Sequence, residues 1–288
     1  MRKILLAFVL ITGSLPSFAN TVLMTLSEAI KVNMVEVSGA ATGQNYRSRA
    51  LRLKAVNKSG SIIQLKINQG AIFNPTEAGY QPLVCAGEEM ITLQPFKDGQ
   101  LDVQTFCADA PNKAPMQNLA YKYARAGSDT LVKLLQYVKK NFFFDDLGQD
   151  AVWVVTNNHG LETVYDGTRE MQAEKLIDYL VQITGKPKPT YYLSNTVSLI
   201  PGQPVYVAKP LKIHAKFEQV LSESKKLTLG VFDGTGKMIQ EVFSNRPYGK
   251  AGHRFTVNFE SSNVPAGQYY IRLKEGETVL QEKMVEVK

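Results

Sequence analysis

Leu51-Arg-Leu-Lys-Ala-Val-Asn-Lys-Ser-Gly60-Ser-Ile-Ile-Gln-Leu-Lys-Ile67 decides the fold class. Leu51, Leu53 and Ala55 alternate with polar neighbours, and Ile63, Leu65 and Ile67 do so again after the turn residues Asn57-Lys58-Ser59-Gly60. One apolar side chain every second residue is the period of a half-buried strand. The same period extends outward. Ile30, Val32 and Met34 precede the segment; Met90-Ile91-Thr92-Leu93 and the run from Leu101 to Phe106 follow it, set apart by Pro95 and Asp98-Gly99. Short strands at this spacing predict an antiparallel sandwich over residues 20–110.

The period changes at Pro115. Residues 115–126 are expected to form a helix with proline in its first turn, and Ser128 to cap a second whose stripe is Leu131, Leu134, Leu135 and Val138. The segment from Gly148 to Val155 is a continuous apolar run, which leaves buried strand and buried helix both open. Thr168 is the expected cap of a further helix carrying Ile177, Leu180 and Val181 and ended by Gly185. Residues 111–185 thus read as a helical region packed with the first domain, and Lys186-Pro187-Lys188-Pro189 as a stiff linker. Beyond it, Leu211 and Ile213, Leu227 to Val231, Phe255 to Phe259, Tyr269 to Leu273 and Met284 to Val287 alternate between glycine turns. They predict an Ig-like sandwich over 190–288, separable from the rest. The expected fold is mainly β with a helical region: N-terminal β-sandwich, central helices, C-terminal Ig-like β-sandwich.

The chain has 288 residues, 33 Lys and Arg against 26 Asp and Glu, three His and two Cys. The positive excess is spread along its length, unlike the concentrated basic face that nucleic acid requires. So few His and Cys exclude a zinc-finger array and a dense disulfide scaffold. After residue 20 no segment supplies the roughly 18 uncharged apolar positions of a membrane helix, so no transmembrane segment is expected. Arg2-Lys3, the apolar run Ile4 to Ile11 and Ser17-Phe18-Ala19 read as a signal peptide over 1–19, cut after Ala19. An exported protein, secreted or on the outer cell surface, is the expectation, with the periplasm as the alternative.

Asp233-Gly-Thr-Gly236, Gly267-Gln-Tyr269 and the terminal run Met284 to Lys288 resemble the Ig-like modules that end secreted Bacteroidota proteins. They are similar to type IX secretion sorting domains and to the Ig-like domain of flagellar-hook capping proteins. The resemblance covers the C-terminal domain and implies an export or anchoring role, with the secretion machinery as one partner and an extracellular protein or glycan as another. Locally, Asp233 and Gly236 suit a tight turn, and Gly267 admits a strand on which Tyr269 packs inward.

Cys85 and Cys107 each stand at an expected strand end. An even number of cysteines in an exported chain favours a disulfide between them. Thr105-Phe106-Cys107 followed by Gln149-Asp-Ala151-Val-Trp153 also resembles bacterial surface thioester domains, over residues of about 60–155, which implies the alternative of an internal Cys107–Gln149 thioester and covalent adhesion. The motif departs from that family at Gly148, where a threonine is usual.

Other chemistry finds no local motif. His159, His214 and His253 fall on different elements outside any His-Glu-x-x-His or Gly-x-Ser-x-Gly context, so no catalytic residues are assigned. His214 and His253 read as surface or turn residues. Asp145, Asp146 and Asp150 miss the spacing of a calcium loop, and no metal or cofactor is expected. Asp233-Gly-Thr-Gly236-Lys237 lacks the leading glycine and the Ser or Thr of a phosphate loop. Phe142-Phe143-Phe144 reads as core. A glycan-active module using carboxylates such as Glu88 and Asp102 stays open.

Overall fold

The structure, a computed structural model, describes residues 20–44 and 47–287; the expected signal peptide lies outside them. The first part of the chain runs through β1 (Thr21–Thr25), α1 (Leu26–Lys31), β2 (Val35–Ala41), β3 (Leu51–Asn57), β4 (Ile62–Ile67), β5 (Ala71–Pro75), β6 (Leu83–Cys85), β7 (Glu89–Leu93), β8 (Asp98–Val103), β9 (Thr105–Cys107) and β10 (Ala120–Ala126). Two sheets result, ordered β1-β4-β7 and β8-β3-β2-β10-β5-β6-β9. The alternating apolar residues of β3 and β4 face each other across one core, Leu51, Leu53 and Ala55 from one sheet and Ile63, Leu65 and Ile67 from the other. Asn57 makes the crossing between them. Its buried amide donates to the carbonyls of Ser61 and Gln94 and accepts from Ser59 N–H at 2.9 Å.

The next stretch supplies α2 (Asp129–Asn141), α3 (Asp146–Thr156) and α4 (Glu170–Thr184). Their apolar stripes cover Ile72, Val84 and Phe106 on the outer face of the large sheet. Because both faces of β6 and β9 are covered, every residue of Leu83–Cys85 and Thr105–Cys107 is buried and neither strand alternates.

The last part forms β11 (Tyr191–Val197), β12 (Tyr206–Val220), β13 (Lys225–Phe232), β14 (Met238–Tyr248), β15 (Gly252–Glu260), β16 (Gly267–Glu275) and β17 (Thr278–Val287). Sheets β11-β12-β15 and β14-β13-β16-β17 enclose a third core around Phe217, Leu229, Ile271 and Val285, an Ig-like sandwich. The protein is mainly β with a helical region. The turn at Asp233 forms as expected, with its carboxylate accepting from Thr235 N–H and Lys237 N–H and Gly236 at φ +86°. Tyr269 packs inward and donates its hydroxyl to Pro265 O at 2.8 Å.

Several local expectations are overturned. Ile30 to Met34 is not a strand: Thr25-Leu-Ser-Glu28 is a capping box, and α1 carries the chain through Lys31. Residues 115–126 are not helical: 115–119 are coil and turn, and 120–126 are a strand. Tyr121 and Tyr123 alternate with lysine and alanine, and β10 fills the middle of the large sheet between β2 and β5. The open segment 148–155 is helical, as α3. Ser128 caps α2 through Leu131 N–H, whereas Thr168 caps nothing and instead donates to Asp166. Gly185, at φ +72°, ends α4.

The Lys186–Pro189 segment is held at both lysines. Lys186 Nζ donates to His159 O, and Lys188 pairs with Asp178. Further on, Val205 is buried in the N-terminal core, and Ala114 N–H donates to Gln203 O at 2.8 Å. Lys216 on β12 pairs with Glu170 on α4 at 2.7 Å.

Candidate functional site

Two of the expected site residues, Cys107 and Gln149, meet at the edge of the large sheet. Ala108 N–H donates inward to Pro82 O. Antiparallel strands alternate their bonding direction, so Cys107 turns its own N–H and C=O outward at the edge strand. Gln149 on α3 takes both: Cys107 N–H donates to Oε1 and Nε2 donates to Cys107 O, each at 2.9 Å. The side-chain amide acts as one residue of an eighth strand. A buried edge left without such partners would cost about 1–3 kcal/mol for each group.

Two more amides fix the segment that follows. Gln81 Oε1 accepts from Asp109 N–H while its Nε2 donates to Asn112 O at 3.1 Å. Asn157, just past α3, accepts from Ala110 N–H and donates to Asp109 Oδ1. Gln149, Trp153 and Asn157 lie along one side of α3, so a single helix clamps residues 107–110. Trp153 is fully buried against this edge, with the rings of His159 and Tyr206 beside it.

Cys85 and Cys107 do not form the expected disulfide; both are free, buried thiols. The register explains this. Cys107 is opposite Leu83 and Cys85 is opposite Thr105, so the two cysteines share a face but sit on a diagonal. Diagonal neighbours are about 7–8 Å apart, beyond the usual reach of a disulfide. Cys85 Sγ–H donates instead to Gly87 O. Burial pushes the Cys85 thiol up to about 12 and holds the Cys107 thiol well above its ordinary value.

The structure therefore joins Cys107 to Gln149 and leaves Cys85 apart from Cys107. Gly148 has a steric cause. A Cβ there would overlap the carbonyl oxygen of Phe143, so the threonine of the resembled motif does not fit this helix entry.

The remaining residues separate. Asp145 caps α3 through Leu147 N–H and pairs with Arg169, Asp146 pairs with Arg47, and Asp150 lines a neighbouring cleft. Among the described residues no group of three or more His, Cys, Asp or Glu could hold a metal, and no helix is long and apolar enough to cross a membrane. Glu88 pairs with Lys66 and Asp102 with Arg52, each with a basic side chain on an adjoining element. Phe143 is core and Phe144 stacks on Phe106, but Phe142 is 80% exposed as the left-handed end of α2. His253 bonds Gly249 O and closes a turn.

Two clefts open at the seam between the helices and the Ig-like sandwich. One, of about 350 Å³, is lined by Asn157, Asn158, His159, Glu162, Tyr191 and Tyr206 among others. The other, of about 300 Å³, includes Arg47, Asp150, Tyr165 and Ser194. Neither was visible in the sequence, because the contributing residues come from segments far apart in the chain and no local spacing marks them. No family model and no curated protein sequence matches this chain.

Proposed function

We propose that this is an exported surface-binding protein whose sandwich and helices form an interaction head, and whose Ig-like sandwich serves export or anchoring. The observation that carries the reading is the cleft of about 350 Å³ at the seam, where Tyr191 and Tyr206 stand with Asn157, Asn158 and Glu162. Aromatic faces with amide and carboxylate groups in a concave site suit the end of an extracellular glycan, which offers C–H faces and hydroxyls together. The docked Lys186–Pro189 segment supports presentation of that cleft as a rigid unit. A glycan array probed with the full mature chain tests the reading. Binding that is lost in Asn158→Ala and Glu162→Ala is the expected result, and a silent array removes the glycan as partner. Surface labelling of intact cells tests location; a signal only after permeabilisation removes the surface role.

A second reading is favoured by the Cys107–Gln149 contact. An internal thioester would join Cys107 Sγ to the Gln149 carbonyl carbon and release Nε2 as ammonia. The Cys107 N–H that already donates to Oε1 is the kind of donor that stabilises a tetrahedral intermediate. Intact mass of the native protein decides it: a mass lower by one ammonia, restored as an amide by methylamine, supports a latent acyl donor. The full sequence mass with two alkylatable thiols after denaturation removes it.

A further inference from the structure

The outer face of the β11-β12-β15 sheet carries a second arrangement that no local motif announces. His214 on β12 lies directly opposite Tyr192 on β11 and Asn258 on β15. Ser194, two residues along from Tyr192, therefore shares the face and reaches His214 on the diagonal. Ser194 Oγ is 2.8 Å from His214 Nε2, and His214 Nδ1 is 2.7 Å from Asn258 Oδ1. With an amide oxygen facing Nδ1, that nitrogen carries the proton, and Nε2 presents its lone pair to the Ser194 hydroxyl. This is the order of contacts of a nucleophile, a base and the group that orients the base.

The surroundings suit that role. The Tyr165 ring, from the segment between α3 and α4, stacks on His214 with centroids 4.4 Å apart and an interplanar angle of 25°. It holds the imidazole from the side opposite the sandwich core. Burial lowers the His214 pKa and the Asn258 bond opposes this, so the ring is a neutral acceptor near pH 7. The charged and titratable groups around it are Glu170 and Lys216, which pair with each other, Lys212 and Glu260, which also pair, and the phenols of Tyr165 and Tyr192. Ser194 opens on the cleft of about 300 Å³, whose lining is mixed, with Val197 and Leu199 beside Arg47, Asp146, Asp150 and Asn195. Walls come from both the head and the Ig-like sandwich, so the cleft exists only in the docked molecule.

We propose that Ser194, His214 and Asn258 form an acyl-transfer site that hydrolyses short-chain carboxylic esters bound in this cleft. Ser194 Oγ attacks the ester carbonyl carbon while its proton passes to His214 Nε2. The bond from the carbonyl carbon to the alcohol oxygen then breaks, and His214 returns the proton to the leaving alkoxide. Water attacks the resulting acyl-serine, gives a proton to Nε2, and releases the carboxylic acid as Ser194 recovers its hydrogen. Val197 and Leu199 give an acyl group of acetyl to butyryl size an apolar surface within this mixed cleft. Asn258 is a positioning residue, because it acts through His214.

The test uses the full mature chain with p-nitrophenyl acetate and butyrate as probes. The expected result is turnover above buffer that falls about 10²-fold or more in Ser194→Ala and in His214→Asn, with melting temperatures close to the parent. A fluorophosphonate should add to Ser194, located by peptide mass. Asn258→Ala should lose rate, and Asn258→Asp should keep it while moving the acid limb of the pH–rate profile upward, since a carboxylate stabilises the imidazolium. Equal rates in the parent and Ser194→Ala, or the probe on another residue, overturn the proposal. This result is independent of the glycan array, which reads the other cleft.

Discussion

Gln149 and Cys107 meet as an amide against a backbone, Oε1 to N–H and Nε2 to C=O, each at 2.9 Å. A helix side chain thus finishes the edge of a seven-stranded sheet, and the helical region is bound to the sandwich by polar as well as apolar contact. Gln149→Ala removes both partners of a buried edge and should destabilise by about 2–4 kcal/mol in chemical denaturation. Gln149→Glu is sharper. A carboxylate cannot donate to Cys107 O, so the introduced acid is held neutral and its folded pKa is raised above the unfolded value. Its penalty should be small in acid and grow as pH rises toward 8; a pH-independent penalty would contradict the geometry.

Gly148 admits no side chain beside the Phe143 carbonyl. Gly148→Ala and Gly148→Thr should each cost about 3 kcal/mol or more, since backbone rather than a flexible side chain must yield. Equilibrium unfolding of the two variants checks this, and near-parental stability of either would mean that the α3 entry relaxes freely.

The two thiols should be silent in the folded protein. With Cys85 pushed up to about 12 by burial, and Cys107 raised by the same cause, neither ionises at pH 8. A thiol reagent should find none in the native chain, and a reductant should leave the melting temperature unchanged. A reductant-dependent melt would restore the disulfide.

Asp102 is held below its ordinary value chiefly by the bidentate bond from Arg52, at 2.7 and 2.8 Å. A depressed folded pKa contributes stability that is present above the unfolded value near 3.9 and is lost as pH falls through the folded one. Arg52→Ala should therefore cost a little stability at neutral pH and progressively less as pH falls, the pair being largely exposed. Acid unfolding curves of parent and variant check the convergence.

Val205 belongs to the N-terminal core although it lies beyond the Lys186–Pro189 segment. Calorimetry of the parent should show one transition, and Val205→Asp should split it by releasing the Ig-like sandwich. Deleting 278–287 removes β17 with the buried Val285 and Val287, and should lower the stability of the last sandwich. Two transitions already present in the parent would show that the two parts unfold independently.

Local alternation was enough to specify β3, β4, β12, β13, β15 and β16, because strand period and sidedness are set by residues two apart. The Ser128 cap, the Gly185 stop and the Asp233 turn were equally legible, since each is closed by bonds within a few residues. Ala120–Ala126 was not. Its strand state depends on β2 and β5 bonding either side of it, neighbours about 50 to 85 residues away in the chain, and a proline-led start had pointed to helix. The open reading of 148–155 was settled by packing, because a run buried all round carries no period. Cysteine spacing could not reveal the diagonal register that keeps Cys85 from Cys107, whereas Gln149 enters only through the resemblance to thioester domains and its contact with Cys107 is tertiary. Ser194, His214 and Asn258 are separated by 20 and 44 residues, so only the pairing of three strands brings them onto one face. Sequence set what each segment is locally; sheet order and register, which arise from long-range hydrogen bonding and shared burial, decided which side chains meet.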